Sequence, residues 1–289
     1  MPELSGDWRL IREEVLDGAC AMAYDEVAAE TAAAGGPRTV RVYQWLPGTL
    51  SLGYNQAPET VAWASCDERG VDVVRRPTGG GGIYHDTHGD ISYSIIAPAG
   101  EVPGDLMETY ELFCEPLFEA FAELGVDARF VAEEQPALYE PACYLRPLHP
   151  AHDIVAGDGR KISGNAQYRR KDAVVQHGSI TYEVVAEEHL DCFADPGVSP
   201  DEFRERVCGI AEVASDLREQ DRDRDDVGPM DSSDDGREHA VRVLEDALAE
   251  WAGAEEGEWT AEEQERVEEI AEEKYRSDVW TRDREDPLG

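Results

Sequence analysis

The sequence predicts an α+β protein, and three observations carry that reading. An Ala-rich, periodic run over 17–30 reads as a helix. The run over 89–98 sets Ile91, Tyr93 and Ile95 against Ser92 and Ser94, the alternation of a strand with one face in a core. Between 151 and 185, turn-forming residues separate three further extended segments. The 289 residues leave room for one large domain or two small ones, and a hydrophobic share of 41% is enough for a packed core.

In chain order, residues 4–16 read as a strand or turn leading into the helix over 17–30, which Gly35 and Gly36 stop. Residues 39–56 read as two short strands around Pro47 and Gly48, and 57–70 as a short helix. The strand over 71–77 delivers the chain into a glycine run, and the strand over 89–98 leaves it. Residues 106–125 form an amphipathic helix closed by Gly125. A strand over 151–157, a tight turn over 157–160, an element over 161–170 and a strand over 174–185 follow. A helical segment begins at Ser199. The region 219–237 is acidic and poor in apolar residues, and reads as a flexible, solvated loop. Residues 239–289 read as a short helical C-terminal segment, in which Thr260 and Glu263 have capping-box spacing.

Charge narrows the function classes. Net charge is −38, and lysine occurs only at 161, 171 and 274. A nucleic-acid partner is disfavoured because the phosphates would be repelled, and acidic membrane lipids for the same reason. A carboxylate excess with so few lysines suits concentrated salt, where screening shortens repulsion to a few ångströms. No apolar run is long enough to span a membrane and the N-terminus lacks a signal-peptide pattern, so the expected location is cytoplasmic. None of the six cysteines forms a C-x-x-C pair, which argues against a disulfide framework or structural zinc.

Chemistry concentrates in two stretches. The first, RRPTGGGGIYHD, places Arg75 and Arg76 before Gly79, Gly80, Gly81 and Gly82, with His85 and Asp86 after them. No Lys-Ser/Thr follows, so it is not a P-loop, and its exit is a strand, so it is not a dinucleotide fingerprint. Exposed N–H groups beside two guanidinium groups would make an anion cradle. The plainer alternative is a flexible hairpin. His85 and Asp86 are expected to brace the loop. The second stretch, KISGNAQ, places Lys161 beside Ser163, Gly164, Ala166 and Gln167. A lysine there can neutralise a phosphate or polarise a carbonyl, or simply belong to a hairpin turn. His177 is a base or a core hydrogen-bonding residue. Two His/Asp groupings, His85–Asp86–His88–Asp90 and His149–His152–Asp153, lack i,i+4 metal-ligand spacing, and no metal is expected.

These stretches together resemble the lipoate–protein ligase and octanoyltransferase family, relatives of the biotin ligases. RRPTGGGGIYHD is similar to the family's arginine–glycine signature, KISGNAQ with VVQHGSI to its lysine signature, SLGYNQ to an early element and EEKYRSDVW to a closing one. The four blocks stand in family order and span most of the chain. The resemblance implies mixed β-sheets with flanking helices, forming a single catalytic domain over 1–289. It implies an enzyme that activates lipoate with ATP and Mg2+ to lipoyl-AMP, then transfers the lipoyl group to a lysine of a lipoyl carrier domain. Such carriers are the E2 subunits of 2-oxoacid dehydrogenases and the glycine cleavage H protein. Gly79–Gly82, Arg75 and Arg76 would then cradle the adenylate, and Lys161 would hold the acyl carbonyl or phosphate oxygen.

The ligase is placed ahead of two alternatives. Cys143 lies shortly before Lys161, as in an octanoyltransferase branch that uses a cysteine thioester and no cofactor. There the donor is octanoyl-acyl carrier protein, and Lys161 would lower the thiol pKa. Otherwise Cys143 is a packing thiol. The second alternative is a non-catalytic carrier-binding relative. A biotin ligase fits the arginine–glycine pattern poorly. The C-terminal segment looks short for a full accessory domain, so a ligase is expected to need a separate accessory subunit.

Overall fold

The computed structural model describes residues 6–150, 152–214 and 232–289. The order of elements is β1 (Trp8–Leu16), α1 (Gly18–Ala33), β2 (Arg38–Trp45), β3 (Thr49–Leu52), α2 (Trp63–Arg69), β4 (Asp72–Arg75), β5 (Ile83–His85), β6 (Asp90–Pro98), α3 (Leu106–Glu123) and β7 (Ala128–Phe130). Then come β8 (Asp153–Ala156), β9 (Lys161–Arg169), β10 (Ala173–Thr181), α4 (Ala186–Asp191), α5 (Pro200–Arg206) and α6 (Ile210–Val213). The described chain closes with α7 (Ser232–Ala252), β11 (Glu255–Glu256), α8 (Ala261–Ile270), a π-helical turn (Ala271–Tyr275) and α9 (Asp278–Thr281).

Two mixed sheets form the frame. The larger has the order β11-β1-β2-β6-β10-β9-β8-β7, with β1 parallel to β11 and β2 and the remaining pairs antiparallel. The smaller has the order β4-β3-β5, with β3 parallel to β4 and antiparallel to β5. This is the α+β fold of mixed sheets and flanking helices that the sequence led us to expect.

Burial explains the layers. Ile91, Tyr93 and Ile95 of β6 enter the main core with Val40 and Val42 of β2, and α3 and α7 cover that face through Phe113, Phe121, Leu244 and Leu248. The opposite face is covered by α1, whose Ala28, Ala29 and Ala32 pack with Ile96 and Val175. Small alanines let this helix lie close to the strands. Ser92 and Ser94 are therefore buried too, and β6 is enclosed on both faces rather than one. Asp17 caps α1 by accepting from the Cys20 N–H at 2.8 Å.

Several boundaries differ from the sequence reading. Residues 57–70 divide into a 3-10 turn at Pro58–Thr60 and the helix α2. The helix begun at Ser199, with a capping box to Glu202, breaks at Val207 before α6. Helix α7 starts at Ser232, so the end of the expected 219–237 loop is helical, and the rest of that loop lies outside the described residues. The 239–289 segment is mostly helical, but β11 adds an edge strand to β1. The capping box at Thr260 and Glu263 forms.

The C-terminal segment straps the two sheets together. Lys274 Nζ lies 2.6 Å from Glu26 of α1, Tyr275 donates to the same carboxylate at 2.6 Å, and the Trp280 indole donates to the Arg75 carbonyl at 2.7 Å. All six cysteines are free thiols; Cys143 is half-buried and the others are buried. Among the described residues no helix is long and apolar enough to cross a membrane.

Candidate active site

A cavity of about 300 Å3 opens between the two sheets. Strand β6 contributes Ser92, β9 contributes Gly164 to Gln167, and β10 contributes His177 to Ser179. The glycine loop contributes Gly79 and Gly80, and the small sheet contributes Ser51, Ile83 and His85. Met22, Tyr43, Trp45, Leu106 and Tyr110 make much of it apolar. Its size falls within the range of small-molecule sites.

Lys161 and Cys143 meet at this cavity. Lys161 opens β9 and is 2% exposed. Its Nζ lies 2.6 Å from Asp153 Oδ1, 3.3 Å from the Cys143 carbonyl and 3.9 Å from Cys143 Sγ. The Tyr144 ring stands 5.3 Å away. Burial alone would lower the Lys161 pKa, but Asp153 and Cys143 outweigh it and raise the value. Burial alone would raise the Asp153 pKa, but Lys161 and His152 hold its carboxyl well below the usual range. The result is a buried ammonium held beside a sulfur. Such a charge stabilises a thiolate, and an oxyanion forming next to it.

Glycines make the approach possible. A Cβ on Gly164 would stand 3.3 Å from Lys161 Nζ and 3.6 Å from Cys143 Sγ. A Cβ on Gly81 would stand 2.7 Å from the Pro141 carbonyl and 2.8 Å from the Cys143 nitrogen. The backbones are laced there: Gly82 N–H donates to Pro141 O at 2.7 Å, and Cys143 N–H donates to Gly82 O at 2.8 Å. The glycine run thus brings Cys143 to Lys161, which is 18 residues further along the chain.

The arginines do not form the open anion cradle. Arg75 is fully buried and does not reach the cavity; it donates to the carbonyls of Gly53, Tyr54, Gln56 and Thr281. Arg76 lines the cavity, yet its guanidinium is turned to the carbonyls of Ser51, Gly79 and Gly81 and to two hydroxyls. Both hold the loop from behind.

The other expected residues divide in the same way. His85, Gly79, Gly80, Gly164, Ala166, Gln167 and His177 line the cavity; Gly81, Gly82, Asp86 and Ser163 do not. Asp86 caps the turn after β5 by accepting from His88 N–H at 3.0 Å and Gly89 N–H at 2.7 Å. Of the His/Asp groupings, His85 pairs with Asp90 and Asp153 pairs with Lys161. Among the described residues, no group of three or more His, Cys, Asp or Glu side chains is arranged to hold a metal ion. Asp153 is the partner of Lys161 that sequence reasoning missed. It had been considered only beside His149 and His152, as a metal grouping.

The comparisons fit this geometry. A family model described as the lipoyl protein ligase A/B catalytic domain matches residues 17–227. Octanoyltransferase LipM of Geobacillus kaustophilus is 32% identical, over 94% of this chain and 97% of that protein. Octanoyltransferase LipM of Kyrpidia tusciae is 33% identical over the same shares, 94% and 97%. Among solved structures, a bi-partite lipoate protein ligase from Thermoplasma acidophilum, analysed with its E2 lipoyl domain, superposes with a TM-score of 0.71 at 21% identity, covering 96% of this chain and 97% of that one. At that identity the superposition shows a shared fold.

Proposed function

The chain belongs to the lipoyl protein ligase A/B catalytic family, and from that premise we propose that it is an octanoyltransferase with Cys143 as its nucleophile. It is an acyl attachment enzyme of lipoate metabolism, and within that class the sequence alone had placed the ATP-dependent ligase ahead. The sequence relatives favour the reverse order, since those 32% and 33% identical over 97% of their length are octanoyltransferases. The observation that carries the choice is the Lys161 ammonium 3.9 Å from Cys143 Sγ, beside a largely apolar cavity.

The chemistry follows from this arrangement. The Cys143 thiolate attacks the thioester carbonyl of octanoyl-acyl carrier protein, the carbonyl–sulfur bond to the carrier breaks, and the carrier leaves as a thiolate that takes a proton from solvent. The octanoyl group then sits on Cys143. The neutral ε-amine of a lysine on an acceptor lipoyl domain attacks that thioester, an amide forms as the nitrogen gives up a proton to solvent, and the Cys143 thiolate is released. Lys161 stabilises the thiolate before the first attack and the tetrahedral oxyanion in both. The apolar walls hold the chain; burying each methylene contributes about 0.8 kcal/mol. The acceptors are the lipoyl domains of 2-oxoacid dehydrogenase E2 subunits and the glycine cleavage H protein. This route uses neither ATP nor Mg2+, and the residues expected to hold a phosphate fit one poorly, because Arg75 and Arg76 are engaged with carbonyls.

The test is transfer to a purified lipoyl domain in molar KCl, with octanoyl-acyl carrier protein or with lipoate and MgATP as donor. Product from the carrier thioester without nucleotide, lost in Cys143→Ala, is expected. Intact-protein mass measurement should find one octanoyl group on the wild type and none on the variant. Product from lipoate and MgATP alone, undiminished in Cys143→Ala, would restore the ligase.

A further inference from the structure

Two buried histidines converge on one arginine. Arg76 donates from Nη1 to the Ser51 hydroxyl at 3.2 Å and from Nε to the Thr78 hydroxyl at 3.0 Å. Each hydroxyl then meets an imidazole: Ser51 Oγ is 2.8 Å from His85 Nε2, and Thr78 Oγ1 is 2.7 Å from His177 Nε2. The opposite ring nitrogens face carboxylates. His85 Nδ1 is 3.2 Å from Asp90 Oδ2, and His177 Nδ1 is 3.1 Å from Asp25 Oδ2. The two rows run in the same order: guanidinium, hydroxyl, imidazole, carboxylate. They are built from different parts of the chain, and all seven side chains are buried.

Donor counting fixes the protons. A guanidinium only donates, so both hydroxyl oxygens accept from Arg76 and direct their own protons at Nε2. Both Nε2 atoms therefore accept, which leaves the N–H of each ring on Nδ1: that of His177 meets Asp25, and that of His85 faces Asp90 at 3.2 Å without aligned hydrogen-bond geometry. A proton on either Nε2 would leave a buried hydroxyl proton without its acceptor, which is unfavourable. The surroundings support a neutral His85 ring. Burial lowers its pKa against the opposing pull of Asp90, and Arg76 acts in the same direction as burial. Asp90 is also held by the Ser92 hydroxyl at 2.6 Å and by the Ser179 hydroxyl, and Asp25 by Arg41 at 3.4 Å.

The rows continue to the cysteine. Arg76 Nη2 donates to the Gly79 carbonyl at 2.9 Å and the Gly81 carbonyl at 2.7 Å, and the next residue, Gly82, exchanges backbone hydrogen bonds with Pro141 and Cys143. We infer that Asp25–His177–Thr78 and Asp90–His85–Ser51 are paired positioning relays that orient Arg76 and, through the glycine loop, hold Cys143 in place for acyl transfer. The step from loop to transfer rests on the octanoyltransferase reading; the relays themselves do not.

The test begins with full-length protein carrying 15N-labelled histidine, in molar KCl at pH 7.5. The ring signals of His85 and His177, assigned by their loss in H85Q and H177Q, should show protonated Nδ1 and bare Nε2. An Nε2–H tautomer or a doubly protonated ring at either position overturns the inference. The second measurement compares Thr78→Val, which deletes one hydroxyl, with Thr78→Ser, which keeps it. Val should lower kcat for octanoyl transfer about tenfold and Ser by less than about twofold. A Val variant as fast as wild type, or a Ser variant as slow as Val, also overturns it. Iodoacetamide alkylation of Cys143, located by peptide mass, needs no acyl donor and should change more than about threefold in Val but not in Ser. If wild type transfers nothing yet the alkylation and tautomer results hold, the transferase reading fails and the relays stand; unchanged alkylation in Val overturns the relays.

Discussion

Asp153→Asn isolates the charge on which Lys161 depends. The substitution keeps an oxygen for the His149 N–H, which now donates to Asp153 at 2.8 Å, and removes the partner of a lysine that is 2% exposed. A buried ion pair broken on one side destabilises by about 3–5 kcal/mol, because the remaining charge is left without compensation. Lys161 has a way out of that penalty. With Asp153 gone, burial dominates, and a fully buried lysine can fall by about 3–5 pKa units. Its folded pKa would then lie below its unfolded pKa, so the unfolded chain binds more protons and the variant gains stability as pH rises. Above the depressed pKa the deficit should shrink by about 1.4 kcal/mol per pH unit. Denaturant unfolding of wild type and variant at pH 6 and pH 9 reads this directly, with the larger deficit expected at pH 6. Octanoyl transfer should slow at pH 8, because a neutral lysine no longer stabilises the oxyanion. A pH-independent deficit below about 1 kcal/mol with unchanged transfer would mean that Lys161 stays charged without Asp153.

Three further outcomes follow from other contacts. Gly81→Ala drives a Cβ against the backbone of Pro141 and Cys143; it should cost about 1–3 kcal/mol in denaturant unfolding and lower octanoyl transfer at least about tenfold, and transfer at the wild-type rate would mean that the loop tolerates the shift. Glu263 is held by Arg9 at 2.6 Å, and although burial alone would raise its pKa, Arg9, the Thr260 N–H and the Thr31 hydroxyl bring it down to about 2. That stability is complete above the ordinary carboxylate pKa and lost as pH falls through about 2, so Glu263→Gln should cost about 2 kcal/mol at pH 7 and progressively less below pH 4. With a net charge of −38, Tm should rise steadily from 0.1 to about 2 M KCl as repulsion is screened; a flat Tm would argue against adaptation to concentrated salt.

Much of the site could be read in the sequence because its chemistry is written in residue types at short range. RRPTGGGGIYHD is one loop with its flanking strand residues and KISGNAQ lies within one strand, so the glycine run and Lys161 could be found without knowing the fold. The alanine periodicity of α1 and the alternation of β6 were likewise local. Reading failed where a property depends on what approaches from elsewhere. Adjacent glycines and arginines suggested an anion cradle, but the carbonyls that occupy Arg75 come from residues 53–56 and 281. The serines of β6 signalled a solvated face, but α1 packs over that face and Trp45 and Asp90 hold the Ser92 hydroxyl beside the cavity.

The sequence by itself determined the family and the α+β class and named Lys161 and Cys143 as candidates, because these rest on residue identity and on periodicities of a few positions. The tertiary structure decided which groups those side chains face. Asp153 reaches Lys161 through the register of β8 against β9, Cys143 reaches it through the bridge between Gly82 and Ala142, and His85 and His177 come together only where β5 and β10 meet across the cavity. Charge, protonation state and nucleophilicity depend on distances of 3–4 Å between residues far apart in the chain, and such distances exist only after the sheets have packed.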